Sequence, residues 1–217
     1  MDDVIACSIM QANVDSAQAG NIGFVLKRIG NTCVKLVRAA HPTYPDFYSM
    51  KFFESLRKGE YDFDFPAYQQ YLQDHCEQFP AGVYAFAVDT RNYDLTSHQS
   101  LHDAWLERFC ISEVASGERS EIRAIQIETS FLGPYHDLKI HLVYSGVIEY
   151  SIVTPEEFSH PPFGAIGHGD LLIHEVSLTE NKQALIHELY FSRGSVFRIV
   201  CENFLHEIEI LNEPCST

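Results

Sequence analysis

A His-Glu dipeptide recurs three times toward the C-terminus, at His174-Glu175, His187-Glu188 and His206-Glu207. Each lies in a short run where apolar and polar residues alternate. That is the period of a β-strand, whose successive side chains point to opposite faces. His174 falls in line with Leu172, Val176 and Leu178, His187 with Leu185, Leu189 and Phe191, and His206 with Phe204, Ile208 and Ile210. The three imidazoles are therefore expected on the apolar face and the glutamates on the other. Three inward imidazoles on neighbouring strands, with His168 as a fourth, are chemically able to hold a transition metal. The protein would then be a metal-dependent, cupin-like β-barrel enzyme. Against this, GHGDLLIHEV lacks the HxH-then-Glu spacing of a cupin, and inward histidines commonly donate to backbone carbonyls. The structural role is favoured, and no cofactor is expected.

The glutamates carry the other reading. Glu175, Glu188, Glu207 and Glu209 come from three sequential strands and are expected to form one exposed acidic cluster that binds a partner. Charge supports the idea. The 217 residues hold 15 Lys and Arg against 30 Asp and Glu, a formal net charge of −15. The excess is concentrated in residues 101–217, where seven basic residues face eighteen acidic ones; residues 1–100 hold eight and twelve. Such a surface repels phosphate backbones, so nucleic acid is not expected as a partner. A basic protein is, since opposite charges speed association.

Other catalytic signatures are missing. There is no GxSxG elbow, no GxxxxGK[ST] or GxGxxG loop, and His187-Glu188 leads to Tyr190-Phe191 rather than completing HExxH. His102-Asp103, next to Trp105, and His136-Asp137, after Tyr135, sit at strand entrances; they read as local hydrogen-bonding pairs, with Trp105 as a core anchor. The six cysteines are scattered without CxxC spacing. The start, MDDVIACSIMQ, has acids where a signal peptide needs positive charge, and no run approaches the ~18 apolar residues of a membrane helix. The expectation is a cytoplasmic protein with reduced thiols and no membrane contact.

Two regions must position these residues. In 1–100, a hairpin is expected from 23–28 and 32–37 around Gly30-Asn31, then a helix opening at Asp46 with Phe47, Met50, Phe53 and Leu56 on one stripe. A second helix is expected from Pro66 to about Gln78, and the apolar run Val83–Val88 reads as a buried strand. In 101–217, eight strands are expected at 105–114, 120–131, 137–145, 147–153, 170–178, 184–192, 195–201 and 204–211, with a Pro- and Gly-rich loop at 154–169. The fold class is α+β: an N-terminal hairpin and two helices packed on a C-terminal antiparallel β-sandwich or barrel, the two regions forming one cooperative unit.

The strings YDLTSHQSLHDAWLERFCISEV, LGPYHDLKIHLVYSGVIEY and IHELYFSRGSVFRIVCENFLHEIEI also resemble uncharacterised bacterial β-rich proteins. Their pattern similarly opens on Leu-His-Asp and ends on paired strands carrying His-Glu and Cys-Glu-x-Phe. The resemblance spans about residues 93–212. Some small acidic proteins of that kind are immunity proteins that neutralise a neighbouring toxin, so it implies a non-enzymatic immunity or regulatory protein.

Overall fold

The computed structural model describes residues 50–53, 65–154 and 167–211, together with the backbone of two strands nearer the N-terminus. Among these, α1 is Phe65–Asp74 and α2 is Ala81–Val88. The strands are β1 Phe24–Arg28, β2 Val34–Arg38, β3 Trp105–Ser116, β4 Ile122–Leu132, β5 Leu138–Ser145, β6 Glu149–Val153, β7 Leu171–Leu178, β8 Leu185–Phe191, β9 Val196–Cys201 and β10 Asn203–Ile210. All pairings between strands are antiparallel. One sheet has the order β2-β1-β6-β9-β8-β7 and the other β10-β5-β4-β3. The fold is therefore α+β. The expected Gly30-Asn31 turn, most of the helix opening at Asp46 and most of the loop at 154–169 lie outside the described residues.

The eight strands of the C-terminal region fall within two residues of the alternation-based expectation. Period-two patterning is strong there, and turns such as Arg193-Gly194, with Gly194 at φ 79°, end several of the runs. α1 forms where Pro66 suits a first turn, and it buries Tyr68 and Leu72 on one side.

Val83–Val88 corrects the expectation of a strand: it belongs to α2. A short apolar run has no face to reveal its period, and length alone favoured a strand. Three alanines at 81, 85 and 87 favour helix, and Pro80 immediately before offers its carbonyl to Tyr84 N at 2.9 Å. Val83, Phe86 and Ala87 are buried, and Phe86 touches rings from both sheets.

α1 closes one edge of the six-stranded sheet. β7 is the outermost strand there, and its outward backbone groups are met by side chains instead of by another strand. Tyr68 Oη accepts from Val176 N at 3.0 Å and donates to Val176 O at 3.1 Å; Tyr71 Oη accepts from Leu178 N at 2.9 Å. Lys51 Nζ donates to Leu178 O at 3.2 Å. At Val176 and Leu178 this capping removes the template that the edge would offer another chain. At a second corner the two sheets meet through an isolated bridge between Trp105 and Asp170. The inward faces of both sheets and the helices share one core, containing Tyr68, Leu72, Phe86, Ile127, Ile140, Leu189 and Phe197 among others. Trp105 is not the core anchor that was expected. It is 48% exposed with its ring edge-on to His136, and Leu101 and Ala104 take the buried positions before it.

Candidate functional site

The three His-Glu strands are not neighbours in one sheet. β7 pairs with β8, but β10 pairs with β5 in the other sheet. Only Glu202 separates the end of β9 at Cys201 from the start of β10 at Asn203, and there the chain passes from one sheet to the other. In sequence, β9 and β10 read as almost continuous.

The inward direction of the histidines agrees with the pattern, and His174 and His187 are buried. They bond to each other: His187 Nε2 lies 3.2 Å from His174 Nδ1, and His187 Nδ1 lies 2.8 Å from the buried Tyr144 hydroxyl. Loss of water around the rings drives the His174 pKa down to about 3 and that of His187 well below normal, so both are neutral. His206 faces the same core from the other sheet, but Phe86 stands among the three rings, its centroid 5.3 Å from His174, 5.9 Å from His187 and 4.8 Å from His206. His168 is remote from the cluster, its Nδ1 2.9 Å from Ser195 Oγ and its ring against Phe191 and Phe197. Among the described residues, no three His, Cys, Asp or Glu stand together where they could hold a metal ion. The alternative metal set of His168, His174, His187 and His206 is therefore not gathered at one point: alternation fixes which way a side chain points, but register and sheet membership decide whether several converge.

The glutamate cluster is corrected too. Glu175 is 1% exposed and Glu188 4%, whereas Glu207 and Glu209 are exposed on the other sheet. On β7 and β8 the glutamate face is covered. Glu175 accepts from the backbone N–H groups of Lys51 and Phe52, both at 2.9 Å, and so holds the turn at Met50–Phe53 onto the sheet. Burial raises its pKa, and the backbone donors oppose that rise. Glu188 stands opposite Glu175 in register on one side and Arg198 on the other. Arg198 Nε is 3.6 Å from Glu188, and its Nη1 donates to Glu149 at 2.7 Å. The like-charge neighbours are tolerated because Arg198 and the backbone donors divide them.

The exposed carboxylates gather on the outer face of the four-stranded sheet. β10 places Leu205, Glu207 and Glu209 opposite Val143, His141 and Lys139 of β5, and β4 adds Glu128 and Ser130. An open trough of about 810 Å³ runs across this face. Lys139 Nζ pairs with Glu107 at 2.8 Å, Arg108 Nη2 with Glu128 at 3.5 Å, and His141 Nε2 with Glu209 at 2.9 Å. Among the described residues Glu207 has no ion pair. Glu107 and Glu128 were missed from sequence. A register shift between Leu106 and Arg108 lets consecutive residues Glu107 and Arg108 both line the trough, and no local pattern announces such a bulge. Glu128 is on a strand far from the repeated dipeptides, so only sheet pairing brings it near Glu207.

Cys201 is buried, and desolvation pushes its pKa up to about 12, which keeps it protonated and inert. No described helix is long and apolar enough to cross a membrane. No known family model matches the sequence, and no curated protein matches it significantly.

Proposed function

We propose that the protein is a non-enzymatic acidic binding protein, of the immunity or regulatory kind, that docks a basic protein on the outer face of its four-stranded sheet. The observation that carries this reading is the balance of charge around the trough. Four carboxylates, Glu107, Glu128, Glu207 and Glu209, face two full cations, Arg108 and Lys139, and each cation is already engaged by one carboxylate. Glu207 is the group left wholly for a partner's lysines or arginines, Glu209 beside it is held only by His141, and the exposed Leu205 adds apolar contact. The overall charge of −15 would steer a basic partner toward this surface and away from nucleic acid. Intracellular action on such a partner fits the scattered thiols. We read the supporting frame as an open two-sheet sandwich, with β1 and β2 as its N-terminal hairpin.

The test is kinetic. Association of the basic partner with wild type and with the Glu207→Gln, Glu209→Gln double variant is followed from low to high salt. The variant should associate more slowly, most clearly at low salt, where charges are least screened. Equal rates at every salt concentration would make the face merely solvated.

A further inference from the structure

Beyond one end of the trough, the outer face of the four-stranded sheet carries a group of exposed rings. Trp105 of β3 is 48% exposed, and Tyr135, in the turn between β4 and β5, is 50% exposed. That turn closes through His136 N, which donates to Gly133 O at 2.9 Å, with His136 in the left-handed region at φ 60°. It sets Tyr135 and His136 side by side at the end of the sheet. Gly133 also admits the neighbouring segment, since a Cβ there would lie 3.3 Å from the His98 carbonyl. The rings then pair off: His98 stacks on Tyr135 at 4.0 Å and 15°, and Trp105 meets His136 edge to face at 4.4 Å. Because His98 covers one face of Tyr135, the exposed half of that ring is its other face and rim.

Strand pairing makes this ledge continuous with the trough. Trp105 stands opposite Leu132, Leu132 opposite Lys139, and Lys139 opposite Glu209, so the four occupy one row across the same face. At ~4.8 Å per strand the row is about 14 Å long, the reach of about four extended residues. Carboxylates border the rings. Asp137 accepts from His98 Nδ1 at 2.6 Å and stays half-exposed, the exposed Asp103 lies two residues before Trp105, and Asp170 forms the bridge to Trp105. The two cations of the trough, Arg108 and Lys139, are held by Glu128 and Glu107. Flat, exposed rings beside carboxylates favour a planar cation. A guanidinium stacks on a ring and forks to a carboxylate, whereas an ammonium is compact and strongly hydrated. Resting on the acidic docking face of the proposed function, we propose that the ledge of Trp105 and Tyr135 is its arginine subsite. The basic partner lays an arginine on these rings and against Asp137, while its other cations meet Glu207 and Glu209.

Trp105 is the only tryptophan of the chain, so its emission reports on the ledge directly. Two peptides of equal length and charge test the subsite, one alternating arginine with glycine and the other lysine with glycine. Affinities are read at low salt from the anisotropy of labelled peptide, and Trp105 emission is followed with unlabelled peptide. The arginine peptide should bind about threefold or more tightly than the lysine peptide, the worth of a cation stacked on an exposed ring. It should also shift Trp105 emission saturably. Trp105→Leu, at a half-exposed position, should bring the arginine peptide down to the affinity of the lysine peptide. Glu207→Gln with Glu209→Gln should instead weaken both peptides alike and keep the preference for arginine. The proposal is overturned if wild type binds the two peptides equally, or if saturating arginine peptide leaves Trp105 emission unchanged. A preference that survives Trp105→Leu would overturn it as well. Failure of the docking face itself has a different signature: the double glutamate variant then binds both peptides as wild type does. With that signature, an arginine preference lost only in Trp105→Leu keeps the ledge and removes the trough. No binding of either peptide at millimolar concentration overturns both. If Trp105→Leu fails to fold, the wild-type preference and the Trp105 emission decide the matter without it.

Discussion

The strands β7 and β8 and the strand β10 carry the same His-Glu pattern and meet opposite fates. On β7 and β8 both members of the His-Glu pair are buried, whereas on β10 His206 is half-buried and Glu207 is exposed. β7 and β8 have the opposite sheet and α2 on one face and the Met50–Phe53 turn over the other; β10 has cover on one face only. Alternation therefore distinguishes two faces of a strand without saying which is wet. The same carboxylate is a structural anchor in one sheet and a surface charge in the other.

Phe86 should give the largest effect, because it is where the two sheets touch through one side chain. It packs against His174 and His187 of one sheet and Phe204 and His206 of the other. Phe86→Ala should cost about 3–5 kcal/mol in denaturant unfolding, as expected for an emptied aromatic site. A cost below about 1 kcal/mol would mean that the direct contacts between the sheets, such as Tyr144 with His187, hold them together without Phe86.

Arg198 comes next. Its removal leaves Glu188 buried without its countercharge, so Arg198→Ala should destabilise by about 3 kcal/mol. If the loss comes from the stranded carboxylate, adding Glu188→Gln to the variant should restore a good part of it. Without such rescue, Arg198 acts through packing alone.

The buried imidazoles predict a pH dependence. His174 has its folded pKa lowered to about 3 from the ordinary 6.5, so the unfolded chain binds a proton that the native state refuses. Stability is then full above about pH 6.5 and falls with acidification; His174 alone contributes a loss of about 2 kcal/mol between pH 6.5 and 5. Glu175 acts in the opposite sense, since its raised pKa makes stability fall as pH rises above the ordinary carboxylate range. Unfolding midpoints at pH 5 and 7 should therefore converge in His174→Phe and diverge further in Glu175→Gln. Unchanged spacing in both variants would show that neither group titrates out of step with the unfolded chain.

The smallest effect belongs to the exposed face. Glu207→Gln should change stability by no more than about 0.5 kcal/mol, and removing a like-charge neighbour of Glu209 should make the change neutral or favourable. A loss comparable to that at Arg198 would erase the distinction between the two sheets.

Much of the frame was legible from residue order alone. The eight C-terminal strands, the helix at Pro66 and the inward direction of His174 and His187 follow from local periodicity and turn residues, which act over a few positions and survive in any tertiary context. Val83–Val88 was not legible, because an apolar run buried on several sides leaves no period to read. Convergence was not legible either. Whether Glu207 meets Glu128, whether Phe86 enters between His174 and His206, and whether Glu175 receives Lys51 N–H depend on strand pairing between positions tens of residues apart. At Glu202 the chain leaves one sheet for the other, and a shift of one residue at Leu106 decides whether Glu107 reaches the trough. Residue types and their order determined the strands and the directions of their side chains, since those are set by nearest-neighbour backbone geometry. Burial, partners and the grouping of side chains into sites belonged to the tertiary structure, because only packing decides which face of a strand loses its water.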